Sequence, residues 1–333
     1  MPPNKMKGDS EIRHDLISGN WVIIAPKRNG RPWNNFSGNK RRAAFPKKSC
    51  PFEYPFRENE VIRQYGKGPD WRVVVLENKY PAVVHGIMNA AIKVTDTYEL
   101  LQGFGHHNLV VTRDHKLDFS ELPGKDAAFT FKILQDCYKT LQREKEVSFI
   151  SIFHNWGPEA GASIYHPHYQ IITVPIVPHA VETSLENSSK FFSEHKQCMH
   201  CFVMERELRE RKRIVFKNRS AVVVAPFVSH EPFQLRVYPL RHCAYFEDAS
   251  EEELKNVALA LRAALVKIKI KLGDPDYNFY IHTAPVKDKK SHGHYHWHIE
   301  IIPHLDVSAG FEMGTGIDIN TVDPDEAARI LRN

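Results

Sequence analysis

The stretch Ser163-Ile-Tyr-His-Pro-His-Tyr-Gln170, which leads into Ile-Ile-Thr-Val-Pro175, places two histidines on either side of a proline. Residues i and i+2 of an extended strand share a face, so His166, His168 and Gln170 are predicted to lie on one surface. Imidazole can be a nucleophile toward phosphorus, a proton carrier or a metal ligand. An ordinary half-exposed strand is the alternative, and three such side chains on one face favour a functional surface over it.

The composition describes a globular protein with mild positive charge. The chain has 333 residues, of which 42% are hydrophobic and 26% charged, and its formal net charge is +5. This length allows two domains, and no apolar run approaches the ~20 residues of a membrane span. The start, Met-Pro-Pro-Asn-Lys, lacks the apolar core of a signal peptide. We therefore expect a cytoplasmic protein with small anionic substrates and with neither membrane nor nucleic-acid partners.

Alternating and helical periodicity predict a mixed α and β chain. A Ser-Gly-Asn turn within residues 11–26 predicts a hairpin. The other predicted strands are 71–77, 108–112, 147–153, 220–225, 234–238, 277–281 and 294–302. Helices are predicted at 124–144, at 251–272 and after Asp323-Pro324. Ser250 and Glu253 form a capping box ahead of the second helix, and Gly273 suits its C-terminal end.

The second half of the chain repeats the order of features in the first half. The corresponding segments are Cys50–Glu53 with Cys198–Cys201, Arg113–His115 with Leu240–His242, Phe153-His154 with Ile281-His282, and His166–Gln170 with His296–Glu300. The last three pairs are separated by nearly equal lengths of sequence, and the first pair by a somewhat greater length. Repetition in the same order and at similar spacing indicates a duplicated α+β unit. We therefore divide the chain into domains 1–178 and 179–333.

Each half brings together four candidate metal ligands of the types that zinc prefers. The set in the second half is Cys198, Cys201, His242 and His296, and the set in the first half is Cys50, Glu53, His115 and His166. Four such donors fit a closed tetrahedral site, so we expect up to two zinc ions per chain. Carboxylate replaces the second thiolate in the first set, and the alternative for Glu53 is an exposed side chain that binds no metal.

If His166 is a metal ligand, His168 remains available as the nucleophile. Gln170 lies on the same predicted face and can donate its amide N–H to a phosphoryl oxygen. The preceding loop, 155–163, offers glycines and a hydroxyl that can approach phosphate closely. Arg28 and Arg31 could hold a second phosphate.

The signature Ser163-x-x-His-Pro-His-x-Gln170 resembles the active-site signature of the galactose-1-phosphate uridylyltransferase family in the histidine-triad superfamily. The resemblance extends over most of the chain. It also covers Arg28-x-x-Arg31-Pro, the segment before Pro81, the segment before the signature, and Gly310-Phe-Glu-Met313. On this resemblance, the substrate-binding residues are Arg28, Arg31, Asn78, Asn155, Gly161, Ser163, Phe311 and Glu312, and the catalytic residues are His168 and Gln170.

The resemblance implies tandem histidine-triad-like domains of the α+β class, with antiparallel sheets and packed helices. It also implies a covalent nucleotidyl-histidine at His168 and a homodimer with its sites near the subunit interface. The expected reaction exchanges a nucleoside monophosphate between UDP-glucose and galactose-1-phosphate. Two alternatives stay open: an ADP-glucose phosphorylase or adenylyltransferase that uses inorganic phosphate, and a non-catalytic, zinc-stabilised nucleotide-binding protein.

Two departures from the family pattern bear on these alternatives. Glu53 stands where the zinc-binding members have a cysteine. The segment 314–320, Gly-Thr-Gly-Ile-Asp-Ile-Asn, resembles the ADP-glucose phosphorylase branch. The base and the sugar therefore stay open.

The densest histidine cluster, His294-Tyr-His-Trp-His298, lies in the second half. His298 is the counterpart of His168, but this half lacks the glycine–serine loop and has Glu300 where the first half has Gln170. We therefore expect the second half to be a structural metal domain without a nucleophile.

Overall fold

A computed structural model describes residues 9–30, 46–68, 70–86, 97–98 and 100–333. Arg31 lies outside the described residues, as does most of the segment around it. None of the helices in the described ranges is long and apolar enough to cross a membrane.

The described residues form strands and helices that do not strictly alternate along the chain, as is typical of the α+β class. The strands are β1 (Glu11–His14), β2 (Trp21–Ile24), β3 (Val61–Lys67), β4 (Asp70–Glu77), β5 (His107–Thr112), β6 (Phe149–Trp156), β7 (His168–Val174), β8 (Ile214–Lys217), β9 (Ala221–Val224), β10 (Leu235–Pro239), β11 (Tyr277–His282), β12 (His298–Pro303) and β13 (Asp318–Asn320). The helices are α1 (Pro55–Glu58), α2 (Gly124–Leu141), α3 (His179–His195), α4 (Met199–Glu210), α5 (Glu251–Leu272), α6 (Gly310–Thr315) and α7 (Pro324–Arg332).

Ten strands form one continuous antiparallel sheet in the order β3-β4-β5-β7-β6-β11-β12-β10-β9-β8. The order is symmetric about the middle of the sheet. The strands β3, β4, β5, β7 and β6 of the first half correspond to β8, β9, β10, β12 and β11 of the second half. The halves meet where β6 pairs with β11, in the middle of the sheet. The predicted duplication and the α+β class are confirmed.

Strands β1, β2 and β13 form a second, small sheet. β13 is parallel to β2 and pairs with it from Asp318 to Asn320. The first strands of the chain therefore associate with a strand near its end. The division into domains 1–178 and 179–333 stays a prediction.

Helices α2 and α5 pack side by side on one face of the large sheet. Fully buried side chains from both helices, such as Phe131 and Leu261, meet the inward-facing side chains of the strands. The capping box of Ser250 and Glu253 and the left-handed Gly273 bound α5 as predicted. This packing leaves the opposite face of the sheet for polar groups.

The strand register corrects one of the sequence correspondences. Phe153 pairs with Gln170 in the first half, and Tyr280 pairs with Glu300 in the second. Phe153 thus corresponds to Tyr280 and not to Ile281, with which the sequence comparison pairs it. A slip of one residue moves a side chain to the other face of a strand. His154 accordingly faces the helices, whereas His282 lies on the polar face beside His298.

Candidate active site

The polar face of β7 begins at His168, because the preceding Pro167 has no N–H with which to continue the strand ladder. His168 is 8% exposed, and its Nδ1 donates a hydrogen bond to the carbonyl oxygen of His166 at 2.9 Å. Nε2 therefore carries the lone pair. Burial lowers the pKa of His168, so the ring is neutral at pH 7. A neutral imidazole whose outer nitrogen has a lone pair is suited to nucleophilic attack.

The His166 side chain lies in a cluster with Cys50, Glu53 and His115. Its Nδ1 lies 3.6 Å from Cys50 Sγ, 3.3 Å from His115 Nδ1 and 3.7 Å from Glu53 Oε1. Glu53 Oε1 lies 3.1 Å from His115 Nδ1. Ligand atoms of a tetrahedral zinc site are about 3.3–3.8 Å apart, since metal–ligand distances are about 2.0–2.3 Å. Cys50, His115 and His166 of the predicted first set therefore come together with the spacing of a metal site, and Glu53 lies beside the two histidines.

The hydrogen bonds of this cluster leave lone pairs directed at its centre. His166 Nε2 donates to the carbonyl oxygen of Thr112 at 2.7 Å, so its Nδ1 carries no proton. Glu53 Oε1 is buried and lies 3.1 Å from His115 Nδ1 and 3.7 Å from His166 Nδ1. A buried carboxylate oxygen and an imidazole lone pair that face one another are stabilised by a cation. The donor set thus fits a metal ion, and Glu53 is a candidate ligand.

The second predicted set also comes together. The ligand atoms of Cys198, Cys201, His242 and His296 all lie within 4.8 Å of one another. Cys201 Sγ lies 3.3 Å from Nδ1 of each histidine. His242 Nε2 donates to the Gly293 carbonyl oxygen at 2.8 Å, so its Nδ1 is also available as a ligand.

Helix α4 organises the two cysteines of this set. Cys198 is the residue before the helix, and Cys201 lies in its first turn. Hydrogen bonding to Cys201 lowers the pKa of the Cys198 thiol, and contacts with His242 and His296 lower it further. The thiolate that this shift favours is the form that binds zinc.

Gln170 is held by a histidine that the sequence did not single out. His107 Nε2 lies 2.9 Å from Gln170 Oε1. The amide nitrogen of Asn78 lies 3.0 Å from His107 Nε2 and 3.4 Å from Nδ1, and its oxygen accepts from Tyr80 N at 2.9 Å. The structure thus places Asn78, His107 and Gln170 together on the polar face.

The loop before the signature is fixed from the second half of the chain. The Asn278 side chain donates to Asn155 Oδ1 at 2.8 Å and to the Ala160 carbonyl oxygen at 2.9 Å. Gly157 has φ of +88°, and a Cβ there would lie 2.0 Å from the Asp276 carboxylate. The loop therefore needs glycine at this position, and Asn155 belongs to the same assembly.

The other predicted substrate-binding residues are distributed more widely. Gly161 is left-handed at φ of +82° and Ser163 is exposed, both in the loop before β7. Arg28 follows β2, beside the small sheet. Phe311 and Glu312 lie in α6, and in the described ranges neither forms a hydrogen bond or ion pair with His168 or Gln170.

The second half reproduces the histidine geometry in a different environment. His298 Nδ1 donates to the His296 carbonyl oxygen at 3.1 Å, as His168 does in the first half. Glu300, however, accepts from Arg236 Nε and from Gln234 Nε2, each at 2.6 Å, and lies 3.0 Å from His282 Nε2. Although burial opposes ionisation, Arg236 and His282 hold the pKa of Glu300 well below its usual range. This half therefore holds a buried carboxylate where the first half holds an amide.

Comparison with known proteins agrees with this geometry. The family model of the galactose-1-phosphate uridyl transferase N-terminal domain matches residues 3–178. The chain belongs to this family. A model of a domain of unknown function also matches residues 96–332. The resemblance drawn from the sequence is confirmed.

Relatives over the full length carry two different names. An ADP-glucose phosphorylase from Arabidopsis thaliana is 30% identical over 97% of this chain and 92% of its own length. A galactose-1-phosphate uridylyltransferase from Thermotoga maritima is 28% identical over 97% of this chain and 98% of its own.

Solved structures divide in the same way. The Arabidopsis thaliana ADP-glucose phosphorylase with bound ADP-glucose superimposes with a TM-score of 0.85 at 28% identity, covering 98% of both chains. A uridylyltransferase superimposes with a TM-score of 0.75 at 28% identity, covering 97% of both chains.

Proposed function

We propose that this chain transfers a nucleoside monophosphate from a nucleotide sugar to a phosphate acceptor through a covalent bond to His168. The observation that carries the proposal is the 2.9 Å hydrogen bond from His168 Nδ1 to the His166 carbonyl oxygen. It sets the tautomer and leaves the lone pair of the neutral ring on Nε2. Gln170, two residues along the same strand face, supplies a neutral donor beside it.

In the first step, His168 Nε2 attacks the α-phosphorus of the nucleotide sugar. The bond between that phosphorus and the oxygen of the sugar phosphate breaks, and the sugar phosphate leaves with the electron pair. The imidazole then carries a positive charge, which the His166 carbonyl oxygen stabilises through Nδ1–H. The Gln170 amide donates to a phosphoryl oxygen as negative charge builds on it.

In the second step, an oxygen of the acceptor phosphate attacks the same phosphorus. The bond to Nε2 breaks, and His168 recovers its lone pair. Leaving group and acceptor are both ionised phosphates, so no proton has to move in either step. Positioning and charge stabilisation suffice, which agrees with the absence of a carboxylate pair around His168 in the described residues.

The two ligand clusters would hold zinc, up to two ions per chain, in structural sites that stabilise the fold. Cys50, Glu53, His115 and His166 would hold one ion, and Cys198, Cys201, His242 and His296 the other. The first cluster has a specific consequence for catalysis. Because His166 is both a ligand and the acceptor of the His168 hydrogen bond, an ordered cluster keeps the nucleophile in one orientation.

Two substrate pairs are candidates. ADP-glucose with inorganic phosphate is supported by the Arabidopsis thaliana phosphorylase, which is similar in sequence and has a TM-score of 0.85. UDP-glucose with galactose-1-phosphate is supported by the matching family model and by the Thermotoga maritima relative. Both pairs use the same chemistry at His168.

The remaining predicted contacts fit a site completed by a second chain. Asn78, Asn155, Gly161 and Ser163 would contact the nucleotide and its phosphates within one chain. Phe311 is 45% exposed and lies in α6, away from the hydrogen bonds of the His168 site. We propose a homodimer in which the Phe311–Glu312 segment completes the sugar side of the site and Arg28 and Arg31 hold the second phosphate.

The test is a labelling experiment with the purified full-length protein. ADP-glucose or UDP-glucose carrying radiolabel in the base is added without an acceptor, and protein-bound label and released glucose-1-phosphate are measured. One donor should give equal amounts of both. Adding inorganic phosphate or galactose-1-phosphate then identifies the acceptor by the nucleotide product it forms. Sugar-phosphate release without protein-bound label, or no reaction with any sugar nucleotide, contradicts the proposal.

A non-catalytic nucleotide-binding protein is the remaining alternative. It would bind the nucleotide sugar at equilibrium but would never retain label after denaturation. The same experiment therefore separates binding from catalysis.

A further inference from the structure

His107 stands in direct contact with the amide proposed to stabilise the transferred phosphoryl group. It is the first residue of β5, is 8% exposed, and lies on the same sheet face as Gln170. Its side chain reaches diagonally across the β5–β7 pair to Gln170 Oε1, at 2.9 Å. Nothing in the proposed reaction uses His107 directly, because its Nε2 is occupied by this contact.

The tautomer of His107 follows from its other nitrogen. The backbone N–H of Ala82 donates to His107 Nδ1 at 3.1 Å, so Nδ1 is the acceptor. In a neutral ring Nε2 then carries the hydrogen. Gln170 Oε1, at 2.9 Å, can accept that hydrogen, whereas the Asn78 amide nitrogen, at 3.0 Å from Nε2, is itself a donor and cannot. The opposite orientation of the Gln170 amide would bring its NH2 group against this N–H. The ring therefore selects the orientation in which the Gln170 amide hydrogens are free.

The backbone fixes His107 itself. Asn78 N donates to the His107 carbonyl oxygen at 2.8 Å, and the Asn78 amide nitrogen lies 3.4 Å from Nδ1 and 3.0 Å from Nε2 of the His107 ring. Main-chain N–H groups thus hold His107 at both its carbonyl oxygen and its ring Nδ1. A donor that is held this way loses little entropy when it meets a developing charge.

The duplicated half gives an independent observation of the same contact position. Leu109 pairs with Gln170 in the first half, and Arg236 pairs with Glu300 in the second. The residues two positions before each, His107 and Gln234, therefore correspond. Gln234 Nε2 donates to Glu300 Oε1 at 2.6 Å. In both halves, a side chain at this position thus donates to the side chain two residues after the second histidine.

We propose that His107 is a positioning residue: its Nε2–H holds Gln170 with the amide N–H groups directed at the phosphoryl oxygens. The inference rests on the proposed nucleotidyl transfer and identifies a residue that affects its rate by orienting Gln170. A misplaced donor costs rate, because its hydrogen bond is needed in the transition state and not in the ground state.

The test measures formation of the nucleotidyl-enzyme in single-turnover experiments with the donor sugar nucleotide that labels the wild-type protein. His107→Leu removes the donor and keeps an apolar side chain like the neighbouring Leu109. It should slow labelling about 10- to 100-fold while the substrate concentration for half-maximal rate changes less than about 3-fold. His107→Gln offers an amide N–H at similar reach and should stay within about 5-fold of wild type.

A double-mutant cycle distinguishes positioning from a general structural effect. Gln170→Ala should slow labelling about 100- to 1,000-fold, and adding His107→Leu should slow it no further, because His107 acts only through Gln170. Gln234→Ala, at the corresponding position of the second half, should leave the labelling rate within about 3-fold of wild type. Additive losses in the double variant, or equal rates for His107→Leu and wild type, overturn the inference.

The outcomes also separate this inference from the proposed function. If the wild-type protein forms no nucleotidyl-enzyme, the proposed function is wrong and the inference falls with it. If wild type labels and the cycle is additive, only the inference is wrong. Should His107→Leu fail to fold, His107→Asn and His107→Gln provide the comparison. Both offer the same amide, but only glutamine reaches Gln170, so equal rates would contradict the inference.

Discussion

The two halves of the sheet present the same histidine in the same orientation and surround it differently. His168 and His298 each donate Nδ1–H to the carbonyl oxygen two residues earlier. Beside His168 stands a neutral amide, Gln170. Beside His298 stands Glu300, which already accepts hydrogen bonds from Arg236 and Gln234.

On the proposed function, this difference means that an oriented imidazole alone is not enough for phosphoryl chemistry. A phosphoryl group needs donors that are free when charge builds on it. The ionised Glu300 can only accept, and its negative charge would repel a phosphate. Arg236, the nearest cation, is committed to Glu300 and Asp15. The second half has the same strand geometry, with a buried ion-pair network where the first half has the proposed phosphate site.

The largest expected effect is the loss of the nucleophile. His168→Gly should reduce turnover by at least about 10⁴-fold, since no other group can form the covalent intermediate. His298→Gln in the second half should leave turnover within about 3-fold, provided the variant is folded. Steady-state assays of both variants with the labelling donor check this, with thermal unfolding as the control for folding. Equal losses in the two variants would mean that the halves do not differ as described.

The next largest effect is expected when the Gln170 amide is replaced by a carboxylate. Gln170→Glu places in the first half the residue type found in the second, without an arginine beside it. The carboxylate removes a donor and adds a like charge next to the phosphoryl oxygens, so labelling should slow about 100- to 1,000-fold. Single-turnover labelling measures the effect. A rate near that of wild type would show that the neutral donor is not what distinguishes the two halves.

The metal clusters provide a third comparison. Cys198→Ser should lower zinc content by about one equivalent per chain and lower the unfolding temperature, because a structural zinc site stabilises the folded state. Elemental analysis and thermal unfolding measure both. The matched variant Cys50→Ser in the first half should also reduce labelling, since that cluster orients His168 through His166. Unchanged zinc content in Cys198→Ser would refute the second site.

The smallest effect concerns the charge network of the second half and its dependence on pH. Burial opposes protonation of His230, but hydrogen bonds to Asp15 and Asp318 raise its pKa to about 9. Because the folded pKa lies above the unfolded value of about 6.5, the stabilisation is complete below pH 6.5 and is lost as pH rises through 9. The shift corresponds to about 3 kcal/mol.

Chemical denaturation across pH 6 to 10 measures this effect. The difference in unfolding free energy between wild type and His230→Gln should shrink as pH rises over that window. A difference that stays constant with pH would show that His230 is not charged in the folded protein.

The sequence was informative where chemistry is encoded within a few residues. His-Pro-His-x-Gln predicted a nucleophile, a ligand histidine and an amide, and the structure brings together the second ligand set and three members of the first, Cys50, His115 and His166. The Ser250–Glu253 capping box and the Asp323-Pro324 helix start are confirmed. The two helix starts depend on contacts within a single helix end, so a local pattern suffices to predict them, whereas the ligand sets join distant segments and were predicted from the repeated order of features.

Contacts made across strands were not visible in the sequence. The hydrogen bond between His107 and Gln170 joins residues 63 positions apart. It depends on a strand register that the slightly unequal spacings of the repeated features could not determine. The same ambiguity led to the incorrect match of His154 with His282. Strand β3 also escaped detection, because its alternation is weak and includes Arg63, Gln64 and Lys67.

The most direct measurement of the central claim is the location of the covalent adduct. The full-length protein is incubated with the sugar nucleotide that labels it, quenched at high pH to preserve the phosphorus–nitrogen bond, digested and analysed by mass spectrometry. We expect one nucleoside monophosphate on the peptide that contains His168 and none on the peptide that contains His298. An adduct on His298, or turnover without an adduct on either peptide, would contradict it.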